Sequence, residues 1–305
     1  MKVLITGASG MVGRNLLEFA PLRDIEFLTP SSSEVDLRSY EVTREYLSVT
    51  KPDLVIHAAG KVGGIQANLA NKIEFLDDNL VIGRNIIMGS YHSGIKNLIN
   101  LGSSCMYPKD VDGALSEDLI LTGELEPTNE GYALAKVVAA KLCQKINSEN
   151  PEINYKTIIP CNLYGYFDKF SPENSHLVPA VIHKIHCAKS NNDDAVEIWG
   201  DGEARREFMN TADLSSAIWR AVSEISVIPD MFNCGLGYDY SINEYYETAA
   251  KIIGWKGKFI HNLDRPVGMK RKLLDVSKQK EWGWSPTISL SEGLRRTYQY
   301  YLDNQ

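Results

Sequence analysis

Three residues in the middle of the chain have the types and spacing for proton chemistry at a carbonyl: Ser103, Tyr132 and Lys136. Tyr132 and Lys136 are four apart and run into Val137-Val138-Ala139-Ala140-Lys141-Leu142, a helical pattern that puts phenol and ammonium on one face. A phenol of pKa about 10 carries protons poorly at neutral pH. A neighbouring cation favours phenolate and makes exchange with a ketone practicable. Ser103 and Cys105 follow the strand-like run Leu98-Ile99-Asn100-Leu101, and two residues apart on an extended chain their hydroxyl and thiol face one side. By itself Tyr-x-x-x-Lys is common on helices, and a lone cysteine at a strand end is ordinarily buried and inert. The pattern gains weight from Gly7, Gly10 and Gly13, which follow Val3-Leu4-Ile5 directly and lead into Arg14-Asn15-Leu16-Leu17. A strand, a glycine turn and a helix in that order bring backbone N–H groups close to a pyrophosphate.

The elements that must hold these groups are legible as apolar runs. Val3-Leu4-Ile5, Ile25 to Leu28, Asp53 to Ile56, Leu98 to Leu101 and Thr157-Ile158-Ile159 are separated by gaps long enough for crossover helices. That alternation implies an α/β fold, a doubly wound parallel sheet of Rossmann type. The second half is less regular, with helical patterns near Pro179 to Ala188, Ala212 to Ser223, Ile242 to Ile253 and Leu290 to Leu302. We read 1–165 as a dinucleotide-binding domain, rejoined near 205–236, and 166–305 as a smaller substrate lobe. The 305 residues, 44% apolar and 23% charged, are enough to bury one large core and a second small one.

No apolar run is long enough to span a bilayer, and the glycine turn comes too early for a secretory segment, so a cytoplasmic location is expected. Five widely spaced cysteines without a C-x-x-C pair suggest reduced thiols and no metal site. A net charge of −7 argues against a nucleic-acid partner. At the end of the second run the chain reads Thr29-Pro30-Ser31-Ser32-Ser33. With no carboxylate there to repel a 2′-phosphate, NADP(H) is favoured, and with no arginine to grip one, NAD(H) stays open.

Together Ser103, Tyr132 and Lys136 resemble the catalytic triad of the extended short-chain dehydrogenase/reductases. The segments Ala59 to Ile65, GSSCMYPK at 102–109, EPTNEGYALAK at 126–136, NLYG at 162–165, NSHLVPA at 174–180, RREF at 205–208 and RKLLDV at 271–276 narrow this. Over nearly the whole chain they resemble the GDP-L-fucose synthase family, which epimerises C3 and C5 of GDP-4-keto-6-deoxy-mannose and reduces C4 with NADPH. The resemblance implies that Cys105 and His176 are the epimerisation acid/base pair, Tyr132 the proton donor and Lys136 the neighbour that lowers its pKa. It implies cofactor contacts from Gly7, Ser9, Gly10, Met11, Val12, Gly13, Asp36, Leu37, Ala58, Ala59, Lys136, Pro160, Asn162, Leu163 and His176. Substrate contacts would come from Asn174, Lys184, Trp199 and Arg206, with Arg205 beside it, and from Lys272 of the Lys270-Arg271-Lys272 run, since such cations suit a diphosphate. A homodimer is also expected, through helical patterns near Phe75 to Tyr91 and Tyr132 to Ile146.

Several positions depart from that family. Ser9 and the Ser31 region stand where arginines usually serve the 2′-phosphate, Pro266-Val267-Gly268 lacks a usual aspartate, and Tyr166 and Gly131 replace prolines. These changes keep open a C4-reductase without epimerase activity, acting on a related GDP-4-keto-6-deoxy-sugar such as a heptose. A 4,6-dehydratase is disfavoured because no carboxylate follows Ser103. A non-catalytic nucleotide sensor is the distant alternative, and retention of both Tyr132 and Lys136 speaks against it.

Overall fold

The computed structural model describes residues 1–21, 24–171, 175–265 and 269–304. In the first half strands and helices alternate as β1 (Lys2–Thr6), α1 (Met11–Glu18), β2 (Glu26–Leu28), α2 (Tyr40–Thr50), β3 (Leu54–His57), α3 (Ile65–Ala70), α4 (Lys72–His92), β4 (Asn97–Leu101), α5 (Glu130–Glu149) and β5 (Asn154–Pro160). The second half runs β6 (Asn162–Tyr164), α6 (Leu177–Asn191), β7 (Ala195–Trp199), β8 (Arg205–Arg206), β9 (Phe208–Asn210), α7 (Thr211–Ser223), β10 (Met231–Cys234), β11 (Tyr240–Ser241), α8 (Ile242–Ile253), β12 (Lys258–Asn262), β13 (Arg271–Lys272), α9 (Ser277–Glu281) and α10 (Leu290–Asp303).

Six strands form a parallel sheet in the order β10-β5-β4-β3-β1-β2. The period of two along β1 decides its burial. Val3 and Ile5 enter a core shared with Leu16 of α1 and Leu214 and Ile218 of α7, while Leu4 enters one shared with Leu47, Ile86 and Ala139 of α2, α4 and α5. Both faces are therefore covered, as a parallel sheet requires. The chain leaves β1 toward β2 on one side and continues through β3 on the other, so the switch point lies beside β1, where doubly wound sheets bind ligands at the strands' carboxyl ends.

A third core gathers Val178, Ile182 and Ile185 of α6, Tyr245 and Ala249 of α8, and Leu290, Leu294 and Tyr301 of α10. Around it sit a parallel pair, β7 with β12, and a small sheet in the order β11-β8-β13. Glu207, between β8 and β9, accepts hydrogen bonds from the N–H groups of Leu236 (2.6 Å), Gly237 (2.9 Å) and Leu274 (2.9 Å). One buried carboxyl thus ties the β8–β9 corner to the loop after β10 and to the chain after β13.

Candidate active site

The glycine turn closes as the sequence predicts. Gly7 has φ +71°, and a Cβ there would lie 2.7 Å from the Ala59 backbone. A Cβ at Gly13 would strike the backbone of Gly7 and Ala8. Gly10 caps α1 without a side-chain bond, and no acidic residue occupies the first turn, so the helix start presents free N–H groups to an anion. Beside it opens a cleft of about 510 Å³, lined by Gly7, Ser9, Gly10, Asp36, Leu37, Ala58 and Ala59 among others. These are expected cofactor contacts, and the fold brings them together. Met11, Val12 and Gly13 continue the turn into α1, while Pro160, Asn162 and Leu163 stand at the end of β5 and in β6, outside this cleft's lining. Cradle, uncapped helix start and cleft size fit a dinucleotide.

The same cleft is lined by groups the sequence did not flag: Arg38, Tyr46, Lys61 and Asp78. Tyr46 and Asp78 come from α2 and α4, Arg38 from the turn before α2 and Lys61 from the loop after β3, within the Ala59 to Ile65 segment, so the fold and not their spacing brings them to one pocket. The reading of a carboxylate-free loop after β2 needs correction. Glu34 folds back to accept from the Ser31 N–H and hydroxyl, both at 2.7 Å, and Asp36 holds Arg38 with bonds of 2.9 and 3.0 Å. A turn of three serines turns the chain back on itself and so brings these later carboxylates within reach.

The proton-transfer groups gather at the end of β4. Ser103 is extended (φ −159°, ψ 146°) and caps a short 3-10 turn at Ser104–Met106, its Oγ accepting from the Cys105 N–H at 3.4 Å. Cys105 therefore reaches the serine's side through the turn and not through strand alternation, because β4 ends at Leu101. The Ser103 hydroxyl stands near both the Cys105 thiol and the Tyr132 phenol and acts to lower the pKa of each. Cys105 and Tyr132 pack with Leu125 and Ala133, and burial raises the thiol above its usual pKa. Lys136 donates to the Leu101 carbonyl at 2.8 Å, and its Nζ lies 5.7 Å from the Tyr132 ring centroid. Burial lowers the ammonium to about 8.

Here the expected lowering of the tyrosine is reversed. Burial raises the Tyr132 phenol, Cys105 adds to the rise, and the nearby Ser103 hydroxyl opposes it without overcoming that cost. Resting Tyr132 is a neutral donor. Beneath the cleft His57 is buried against Thr6, Nδ1 to Oγ1 2.8 Å, and burial together with Lys136 lowers it to about 3, so it stays neutral.

Lys272 extends this group from β13. Its ammonium is lowered by burial and interacts electrostatically with Cys105, Arg206 and Glu126. Arg206 donates to the Arg205 carbonyl at 2.7 Å, and burial depresses its pKa. Arg205 and Arg271, however, are both committed to Asp239, each through Nε at 2.5 Å, so neither of these two is free to hold a diphosphate. At the far end Lys184 stands 5.4 Å above the Trp199 ring, and Arg265 stacks on it at 5.0 Å. Trp199 is 52% exposed, an open aromatic plate. His176 is the N-cap of α6, exposed at its edge, with its pKa lowered by partial desolvation and by Lys169. Asn174 and the Pro266–Gly268 segment lie outside the described residues. Among the described residues no group of side chains could hold a metal ion.

With this geometry in place, comparison with known proteins adds three kinds of match. A family model described as NAD dependent epimerase/dehydratase matches residues 3–235. The chain is 52% identical to the GDP-L-colitose synthase of Yersinia pseudotuberculosis, over 100% of this chain and 99% of that one. It is 50% identical to the GDP-L-fucose synthase of Azorhizobium caulinodans, over 99% of this chain and 96% of that one. Among solved structures, a GDP-mannoheptose C4 reductase from Campylobacter jejuni with NADP bound superposes with a TM-score of 0.89 at 28% identity, over 99% of this chain and 98% of that one.

Proposed function

The chain belongs to the NAD dependent epimerase/dehydratase family, and from that premise we propose that it is an NADPH-dependent epimerase/reductase converting GDP-4-keto-6-deoxy-mannose to GDP-L-fucose. The observation that carries this reading is the convergence of the Ser103 hydroxyl, the Cys105 thiol and the Tyr132 phenol just past β4, with Lys136 beside them. A ketone oxygen there would meet two hydroxyl donors while its neighbouring carbons face the thiol.

The substrate's C4 ketone acidifies the hydrogens on C3 and C5, and Ser103 and Tyr132 stabilise the enolate oxygen as each proton leaves. Inversion needs a second group to return a proton from the other ring face. Cys105 and His176 supply that pair. At neutral pH the thiol holds its proton and the imidazole does not, so the imidazole takes the proton from the carbon while the thiol gives its own from the other face, and exchange with solvent resets both before the second carbon inverts. Bound NADPH supplies the hydride to C4. Tyr132, neutral at rest, gives its proton to the C4 oxygen, and Lys136 orients it and steadies the charge left behind. Lys272 and Arg206 hold the diphosphate, and Lys184 and Trp199 the nucleoside side of the GDP.

A second reading is favoured by the 52% identity to a GDP-L-colitose synthase. L-Colitose is L-fucose without the 3-hydroxyl, and the small apolar group around Cys105, formed with Leu125 and Ala133, would accept a methylene. The C4-reductase alternative with a heptose would leave Cys105 beside Ser103 without a task. Steady-state NADPH oxidation with the two ketones separates the first two readings. We expect the 3-hydroxylated ketone to have the higher kcat/KM; a preference of about tenfold or more for the 3-deoxy ketone would reassign the substrate.

We place the enzyme in the cytoplasm, in keeping with its five free cysteines. Among the described residues no helix is long and apolar enough to cross a membrane. The division into a cofactor domain, rejoined near 205–236, and a substrate lobe is part of the same reading. So is a homodimer. Ile73 (82% exposed), Leu76, Leu134 and Val138 form an exposed apolar ridge along the packed pair α4 and α5. Sedimentation velocity at micromolar protein is expected to give a dimer, and Val138→Asp a monomer; a monomeric wild type contradicts it.

A further inference from the structure

We propose that Arg38 is the 2′-phosphate clamp of this chain, acting with Ser32 from the rim of the cofactor cleft; the inference rests on the NADPH reading above. The family it resembles places arginines where this chain has Ser9 and the Ser31 region, so the usual cations are missing. Two cations nevertheless line the cleft, Arg38 and Lys61. Lys61 is held by two carboxylates, Glu74 and Asp78. Arg38 is hydrogen-bonded to one carboxylate, Asp36, in a pair whose side chains are 60% and 45% exposed, with Asp78 adding only a longer-range attraction.

An exposed pair of that kind contributes little and exchanges partners readily. A phosphate dianion offers the guanidinium the same bidentate geometry with more charge. Position agrees with chemistry, since Ser31, Ser32, Asp36 and Arg38 all line the cleft just past β2, where the adenine ribose lies in such folds. Ser31 has both donors occupied by Glu34, whereas the Ser32 hydroxyl has no hydrogen-bond partner among the described residues. When Arg38 turns to the phosphate, Asp36 is released. Glu34 remains nearby as an opposing charge, so selection for the phosphate is moderate in strength.

The test uses equilibrium binding to the full chain, by calorimetry, of 2′,5′-ADP and 5′-AMP, which differ by the phosphate alone. Wild type is expected to bind 2′,5′-ADP more tightly. Arg38→Ala should weaken 2′,5′-ADP about 10- to 100-fold and change 5′-AMP by no more than about twofold. Arg38→Lys should retain part of the difference, because a point charge replaces the fork. Equal loss for both ligands, or none for either, would overturn the assignment to Arg38 while leaving the NADPH reading intact. A wild type that binds both ligands equally would overturn the NADPH reading and the clamp with it.

Discussion

Tyr132 shows how far residue type alone carries, and where environment takes over. Its spacing from Lys136 and its helix were readable from the sequence, but the direction of its pKa was not, because the cost of burying a phenolate depends on packing by Leu125, Ala133 and Cys105. The neutral phenol suits a donor, and the experiment follows directly. Tyr132→Phe should slow C4 reduction at least about 100-fold while NADPH affinity, read by fluorescence titration, stays within about twofold. Reduction at the wild-type rate would show that the proton comes from elsewhere. Arg38 was invisible at this scale for a different reason: an arginine in the turn before α2 carries no signal until the fold brings it to the cofactor cleft.

At the scale of elements, strands with strong apolar runs were legible and short ones were not. β1, β3, β4 and β5 fall on the expected runs, and α6, α7, α8 and α10 on the expected helical patterns, because core burial imposes the period the sequence displays. The two-residue strands β8, β11 and β13 leave no period to read. They are positioned instead by side chains such as Asp239, which bridges Arg205 and Arg271, and Glu207. Next to Arg206 and just before Phe208, Glu207 sets the corner from which the residue we propose to hold the diphosphate projects. Glu207→Ala leaves three N–H groups unpaired, two of them buried, and we expect a loss of roughly 2–4 kcal/mol in urea unfolding. Loss of less than about 0.5 kcal/mol would mean that water replaces the carboxyl and that the corner is held by packing alone.

For the whole molecule, stability carries a pH signature from Asp168, whose Oδ2 is buried without a partner among the described residues. Burial raises its pKa from 3.8 to about 7. The folded state then binds the proton more tightly than the unfolded one, so stability is full below about pH 4 and falls as pH rises to about 7. Asp168→Asn should remove that loss, making the variant more stable than wild type by about 1–2 kcal/mol at pH 8 and equal to it near pH 4. Denaturant titrations at the two pH values check this; a variant equally or less stable at pH 8 contradicts it. We propose that one enzyme carries two chemistries, epimerisation through Cys105 and His176 and reduction through Tyr132. This proposal is tested most directly by turning over GDP-4-keto-6-deoxy-mannose with NADPH in heavy water and reading the product by NMR. The account predicts GDP-L-fucose carrying solvent deuterium at both C3 and C5, with Cys105→Ser suppressing that incorporation. A product reduced at C4 with no deuterium at either carbon would contradict it.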